Sequence, residues 1–183
     1  MITSNLQGAN MNYKELIGKD AIAQRIAEMG QEISAHYNKV GGDLLVVGLL
    51  RGSFIFMADL VRAIDYDHEI DFMTVSSYGN NTTSSGDVKI VMDLNKTIDG
   101  KHLLLVEDIV DTGNTFHNVI NLLKLRQPAS ISVATMLNKP SRREKEIPID
   151  FCGFDIPDEF VFGMGLDFEQ KLRNLPYIAV KCD

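Results

Sequence analysis

LLLVEDIVDTGNT, residues 103–115, is the stretch from which the fold can be read. Leu103 to Val106 run apolar without alternation, as a strand covered on both faces does. Two carboxylates follow, Glu107 and Asp108, and then a third acid, a glycine and two threonines in DTGNT, residues 111–115. Beyond it Phe116, Val119, Ile120 and Leu123 fall at helical spacing, which predicts a helix to about Arg126. A buried strand that turns through a short polar loop into a helix is the unit of an α/β sheet. In open sheets of that kind, ligands sit outside the carboxyl ends of the strands.

The turn has chemistry of its own. Backbone N–H groups from Thr112 to Thr115, with two hydroxyls, stand at a helix N-terminus. Such amides point at a phosphate, and the helix dipole favours its charge. Gly113 lets the main chain come close. Adjacent carboxylates suit a diol, which needs two acceptors, or a hard divalent ion such as Mg²⁺. In a regular strand Glu107 and Asp108 face opposite ways, so their joint use requires the strand to be ending there. A plain strand-to-helix loop with solvated acids and a capped helix accounts for each residue singly. Acids followed by T-G-x-T directly after an apolar run are a much rarer combination.

Working outward, the neighbouring segments read as the rest of such a sheet. Ile22, Ile26, Met29, Ile33 and Tyr37 predict a helix over about 20–38, with Asp20 as N-cap and Gly41-Gly42 as stop. DLLVVGLL (43–50) is a second buried-type strand, followed by RGS and a helical stretch through Ile64. EIDFMTVSSY (69–78), VKIVMDL (88–94) and ASISVATML (129–137) read as further strands. GNNTTSSGD (79–87) has no large apolar side chain to anchor it. The first dozen residues read as a loose arm, in which Met11 is an alternative start. The last 45 residues hold four of the five prolines, which predicts a small irregular lobe beside the sheet. The expectation is one domain over 1–183: a mostly parallel twisted sheet flanked by helices, with residues 138–183 and part of the N-terminal region forming a hood.

Composition narrows the class. Across 183 residues, 45% are apolar and 23% charged, ordinary for a globular chain and too apolar for disorder. No apolar run reaches the roughly 20 residues of a membrane span, and no signal-like opening is evident, so the default compartment is the cytoplasm. The net charge of −7 argues against a nucleic-acid-gripping role. Cys152 and Cys182 form no metal spacing and read as free thiols. His36, His68, His102 and His117 show no triad or metal spacing, and Met57, Met73, Met92 and Met136 read as core.

VEDIVDTGNT (106–115) resembles the phosphoribosyl-pyrophosphate motif of the type I phosphoribosyltransferases. LLRGS (49–53) resembles their pyrophosphate loop, and SSYGNNTTSSGDVKI (76–90) their mobile lid. NKPSRR (138–143) and DEFVFGMGLDFEQKLR (158–173) resemble the purine and metal segments of the hypoxanthine-guanine phosphoribosyltransferases. The resemblance spans about residues 13–181, with the segments in order. It implies purine salvage: the 5-phosphoribosyl group passes from phosphoribosyl pyrophosphate to hypoxanthine or guanine, giving IMP or GMP and pyrophosphate. It also implies Mg²⁺ as cofactor and a homodimer or homotetramer.

Position by position, the resemblance implies that Glu107 and Asp108 hold the ribose hydroxyls, directly or through Mg²⁺. Asp111, Thr112, Gly113, Asn114 and Thr115 cradle the 5′-phosphate, and Asp111 also faces N7 of the purine as general base. Lys139 donates to the 6-oxo group, Phe160 stacks on the base, and the Val161 backbone reads its edge. Asp167 coordinates a second Mg²⁺. Arg51, Gly52 and Arg173 contact pyrophosphate, with a cis peptide expected between Leu50 and Arg51. Ser77 and Tyr78 belong to the lid.

Taken singly, several of these residues read more plainly. Lys139 is then a solvated strand-end charge, Arg173 a helix-end charge and Tyr78 a local packing residue. One of Phe160 and Phe162 belongs to the core. The chain departs from the family at Arg51, where many relatives carry Lys, and at Asn114, where Lys is frequent. Two alternatives stand beside the main reading: a xanthine-preferring relative, and a nucleotide-sensing regulator of the same fold. The acidic balance and the presence of Asp111 count against the regulator. No P-loop motif is present.

Overall fold

The structure is a computed structural model and describes residues 12–77 and 88–182. Its main sheet has six strands in the order β4-β3-β2-β5-β6-β7. These are β2 (Leu44–Leu49), β3 (His68–Ser77), β4 (Val88–Met92), β5 (His102–Val110), β6 (Ser130–Asn138) and β7 (Phe151–Asp155). All pairs are parallel except β3–β4 at the edge. A second, antiparallel sheet joins β1 (Tyr13–Ile17), β9 (Ile178–Lys181) and β8 (Val161–Phe162) in the order β1-β9-β8.

Alternation along the central strands divides the core. Leu44 and Val46 of β2 and Leu104 and Val106 of β5 face α1 (Lys19–Val40) and α2 (Phe54–Ala63), which bring Ile22, Ile26, Met29, Ile33, Phe56 and Leu60. Leu45, Val47, Leu103 and Leu105 face α3 (Asn114–Lys124), which brings Phe116, Val119, Ile120 and Leu123. Burying one such side chain contributes about 1.5–3 kcal/mol, so helices on both faces clamp the middle of the sheet and leave its carboxyl edge to the loops.

Three expectations are corrected. The first helix begins at Lys19 with Gly18 at the N-cap position, and Asp20 lies in the first turn, where its charge complements the dipole. The last 45 residues are not all lobe: Phe151–Asp155 extends the main sheet by pairing with β6, and only β8 and β9 join β1 in the second sheet. Met57, Met73 and Met136 are buried, but Met92 is 39% exposed because it sits on the edge strand. Both cysteines are free thiols. No described helix is long and apolar enough to cross a membrane.

Candidate active site

β5 pairs with β2 only as far as Val106 but with β6 as far as Val110. Residues Glu107–Val110 therefore have a flank open toward the loop that follows β2. Strict alternation would put Val106 and Ile109 on opposite faces. Both instead pack into the cluster under α1 and α2, while Leu105 and Val110 both pack under α3. The alternation slips across Glu107 and Asp108, and their carboxyl groups lie close enough to act on one another. A single strand can thus present both acids together without ending between them.

The pair is deeply set. Asp108 is 7% exposed, and Glu107 Oε2 is sealed from solvent with no hydrogen-bond partner among the described residues. Burial pushes the Glu107 carboxyl well above its ordinary range, and the Asp108 charge adds to the effect. Burial also raises Asp108, against the neighbouring Glu107 carboxyl, the hydrogen bond from the Ile109 N–H (2.8 Å to Oδ1) and the charge of Arg173. Two buried carboxyl groups in contact thus each resist carrying charge beside the other. Gly52 packs directly against Asp108: a Cβ there would lie 1.6 Å from Oδ2, so no larger residue fits while the carboxylate stays in place. The Leu50–Arg51 peptide is cis, as the resemblance implied, and Arg51 is exposed.

The DTGNT turn forms the next wall. Gly113 has φ 86°, and the first α3 bond runs from His117 N–H to Gly113 O at 2.9 Å. The amides of Asn114, Thr115 and Phe116 precede that bond and have no carbonyl within the helix to meet. A cleft of about 150 Å³ opens here, lined by Glu107, Asp111, Thr112, Gly113 and Thr115 among others. A larger groove of about 510 Å³ between α1 and α2 holds none of the expected site residues.

The turn is clasped from behind by residues 139–145. Lys139 N–H donates to Val110 O at 3.0 Å, and the Glu144 and Lys145 N–H groups both donate to Thr112 O, at 2.9 and 3.1 Å. Asn114 Nδ2 donates to Glu144 Oε2 at 2.7 Å. The close fit gives Gly113 a second role, because a Cβ there would meet Lys145 O at 2.5 Å. Asn114, read from sequence as a lost positive charge, is a stitch in this clasp.

Asp111 and Lys139 meet through two residues that the sequence reading passed over. Arg142, in the 3₁₀ turn Pro140–Arg142, donates through Nε to Asp111 Oδ1 at 3.3 Å. Its Nη1 lies 3.6 Å from Asp158 Oδ2, and Asp158 Oδ1 lies 3.5 Å from Lys139 Nζ. Lys139 is buried rather than solvated.

Phe162 is the core member of its pair, and Phe160 is 57% exposed, edge-on to Phe168 at 5.8 Å. Val161 is buried in β8, opposite Val180. Arg173 is not a helix-end charge. It lies after tight turns at 163–172, where Met164, Glu169, Gln170 and Leu172 all have positive φ. It donates to Gly165 O at 2.7 Å and pairs with Asp167 at 2.7 Å, while Gln170 N–H donates to the other Asp167 oxygen at 2.8 Å. Asp167 is thus held by Arg173, whose charge also reaches Asp108. Among the described residues no three His, Cys, Asp or Glu side chains are grouped to hold a metal ion. The expected ligands are the carboxyl pair of Glu107 and Asp108 and the single carboxylate of Asp167 beside Arg173. The backbone of Ser77 closes β3, whereas Tyr78 and loop 79–87 lie outside the described residues.

A buried acid pair, an amide-lined turn after it and a glycine loop packed against it match a known protein family. The model of the phosphoribosyl transferase domain matches residues 12–169. The chain belongs to the phosphoribosyltransferase family. It is 53% identical over 164 residues to the hypoxanthine phosphoribosyltransferase of Escherichia coli K12, covering 90% of this chain and 92% of that one. Among solved structures it superposes on a hypoxanthine phosphoribosyltransferase from Staphylococcus aureus with a TM-score of 0.88 at 41% identity, covering 92% of this chain and 91% of that one. It also superposes on a hypoxanthine-guanine phosphoribosyltransferase from Bacillus anthracis with a TM-score of 0.87 at 38% identity, covering 93% and 98%. Within this phosphoribosyltransferase, Arg142, Asp158 and Glu144 are the site-lining residues that sequence reasoning missed. Their only local signal was charge, and charge in a polar stretch ordinarily means solvent.

Proposed function

We propose that this chain transfers the 5-phosphoribosyl group of phosphoribosyl pyrophosphate to hypoxanthine or guanine, releasing pyrophosphate and giving IMP or GMP. The observation that carries the reading is the junction at the end of β5, where the amide turn 112–115, the Glu107–Asp108 pair and the Gly52 loop face one another. The sugar phosphate of the donor would lie on the turn, its ring hydroxyls against the acid pair, and its pyrophosphate toward Arg51, Gly52 and Arg173. Phe160 would cover the base, the Val161 main chain would read its edge, and Lys139 would donate to the 6-oxo group. Asp111 would take the proton from N7 as N9 bonds to the ribose C1. A base so placed contributes about 10²–10⁴-fold. Ser77 and Tyr78 would close over the site and exclude water that competes for the cation-like carbon.

Mg²⁺ belongs to the same proposal. The fit lies in the donors: hard oxygens, one of them, Glu107 Oε2, buried with nothing to bind. Mg²⁺ is commonly held by one or two carboxylates together with substrate phosphates, which suits an acid pair lacking a third ligand. Glu107 and Asp108 would hold one ion and Asp167 another. When bound, the ion neutralises the charge that grows on the leaving pyrophosphate. A cytoplasmic homodimer or homotetramer completes the reading, tested by molar mass in solution.

The deciding assay compares hypoxanthine, guanine, xanthine and adenine with phosphoribosyl pyrophosphate and Mg²⁺. IMP formation from hypoxanthine is expected, and best use of xanthine would move the chain to the xanthine-preferring group. Asp111→Asn is expected to lower turnover while IMP still binds. Full turnover in that variant would remove Asp111 as the base.

A further inference from the structure

We infer that Arg142, working through Asp158, makes the base pocket prefer a 6-oxo over a 6-amino purine. This rests on the proposed placement of Asp111 and Lys139 along the base. N7 and the 6-substituent lie on one edge of the purine ring, joined through adjacent ring carbons. Groups that meet them must therefore stand close together. Asp111 and Lys139 do so through a chain of alternating charge: Asp111 to Arg142 at 3.3 Å, Arg142 to Asp158 at 3.6 Å, and Asp158 to Lys139 at 3.5 Å.

The hydrogen-bonding character of these groups is one-sided. An ionised carboxylate only accepts, and an ammonium or guanidinium only donates. A 6-oxo group accepts, whereas a 6-amino group donates. Free carboxylate oxygens on this edge would welcome the amino group. The chain engages them: Arg142 takes one oxygen of Asp111 and one of Asp158, and Lys139 takes the second oxygen of Asp158. What faces the 6-position is then a donor, which rewards the oxo group and leaves an amino group opposite a like partner.

Arg142 has little other work. Its side chain is 48% exposed on a short 3₁₀ turn. In the open site these pairs are screened by water. A planar base laid over them displaces that water and strengthens them.

The test uses the full-length enzyme and its Arg142→Ala and Arg142→Lys variants. It measures kcat/KM for hypoxanthine and adenine and KM for phosphoribosyl pyrophosphate. Adenine is also measured as a competitive inhibitor of hypoxanthine, so the comparison is defined even where adenine is not turned over. Arg142→Ala is expected to lower the preference for hypoxanthine by about tenfold, in the range that one mispaired buried polar group produces. Arg142→Lys is expected to restore most of it, with the donor KM changing less than the purine preference in both variants, because the amide turn is held from behind by the Glu144 and Lys145 main chain and not by the Arg142 side chain. A merely structural role would weaken both purines alike. An unchanged preference in Arg142→Ala, or Arg142→Lys behaving as Ala, overturns the inference. Wild-type enzyme that converts no purine would overturn the proposed function itself.

Discussion

Replacing Gly113 by alanine tests whether the phosphate turn is held by contact from behind as well as by its own conformation. Two costs can be separated. The first is conformational: at φ 86° a Cβ is disfavoured by about 1 kcal/mol. The second is steric: the new carbon would lie 2.5 Å from Lys145 O and 3.0 Å from Ile147 Cδ1, so the clasp must back away. Backing away stretches the Glu144 and Lys145 N–H bonds to Thr112 O, worth about 1 kcal/mol each. The sum is about 3 kcal/mol, or about 6–12 °C in Tm for a chain of this size. Gly100→Ala is the control. Its φ is 72°, with nothing within 4 Å of a new Cβ, so it bears the conformational cost alone, about 1 kcal/mol or 2–4 °C. Thermal melts of both variants give the difference. The KM for phosphoribosyl pyrophosphate gives the functional reading, with a rise of about tenfold for Gly113→Ala, equivalent to about 1.4 kcal/mol of lost contact, and none for Gly100→Ala. Equal destabilisation of the two variants, or an unchanged KM at Gly113→Ala, would refute the reasoning.

Three further outcomes are expected. Lys139→Ala should reduce discrimination of hypoxanthine from adenine, and unaltered discrimination would remove Lys139 from the base pocket. Burial, with Asp155 beside it, pushes the Cys152 thiol up to about 11. Alkylation at pH 8, followed by mass spectrometry of its peptide, should then run about a hundredfold slower than for an ordinary thiol and rise about tenfold per pH unit; a rate like that of free cysteine would contradict the burial. The Glu107 carboxyl, ordinarily near 4.5, is raised in the folded chain, which therefore binds its proton more tightly than the unfolded chain does. Stability of the metal-free protein should fall as pH rises from that ordinary value toward the raised one. Glu107→Gln removes the titration, so its Tm advantage in chelator-treated buffer should widen as pH rises above that ordinary value, whereas parallel curves would show that the raised titration is not that of Glu107.

Local pattern announced the parts of the fold in which local pattern is the cause. The unbroken run Leu103–Val106 is buried on both faces, and Phe116, Val119, Ile120 and Leu123 form the core stripe of α3, because period and burial are the same fact in such elements. Phe151–Asp155 was misplaced because a short alternating strand in a proline-rich stretch looks the same at the rim of a sheet or in a flap. Only its pairing with Ala134–Asn138 decides, and that is long-range. Tyr13–Ile17 had no signal of its own and is a strand because Lys181 and its neighbours meet it from the far end of the chain. In the site, the amide turn was readable because glycine, acid and hydroxyl sit side by side in sequence. The slip that brings Glu107 and Asp108 together was not, since it depends on what covers each face. Arg142 and Asp158 were invisible for a similar reason: each is an ordinary surface charge until the other stands opposite.

The stitching of residues 139–145 onto Thr112 means that the seat for the sugar phosphate and the seat for the base share a party wall built of main chain. The side chains that would meet the base hang on the outside of that wall, and the amides that would meet the phosphate lie on the inside. Descendants of this sequence are therefore free to repaint the outer face, exchanging one purine preference for another, while the hold on the common sugar donor passes unchanged from one to the next.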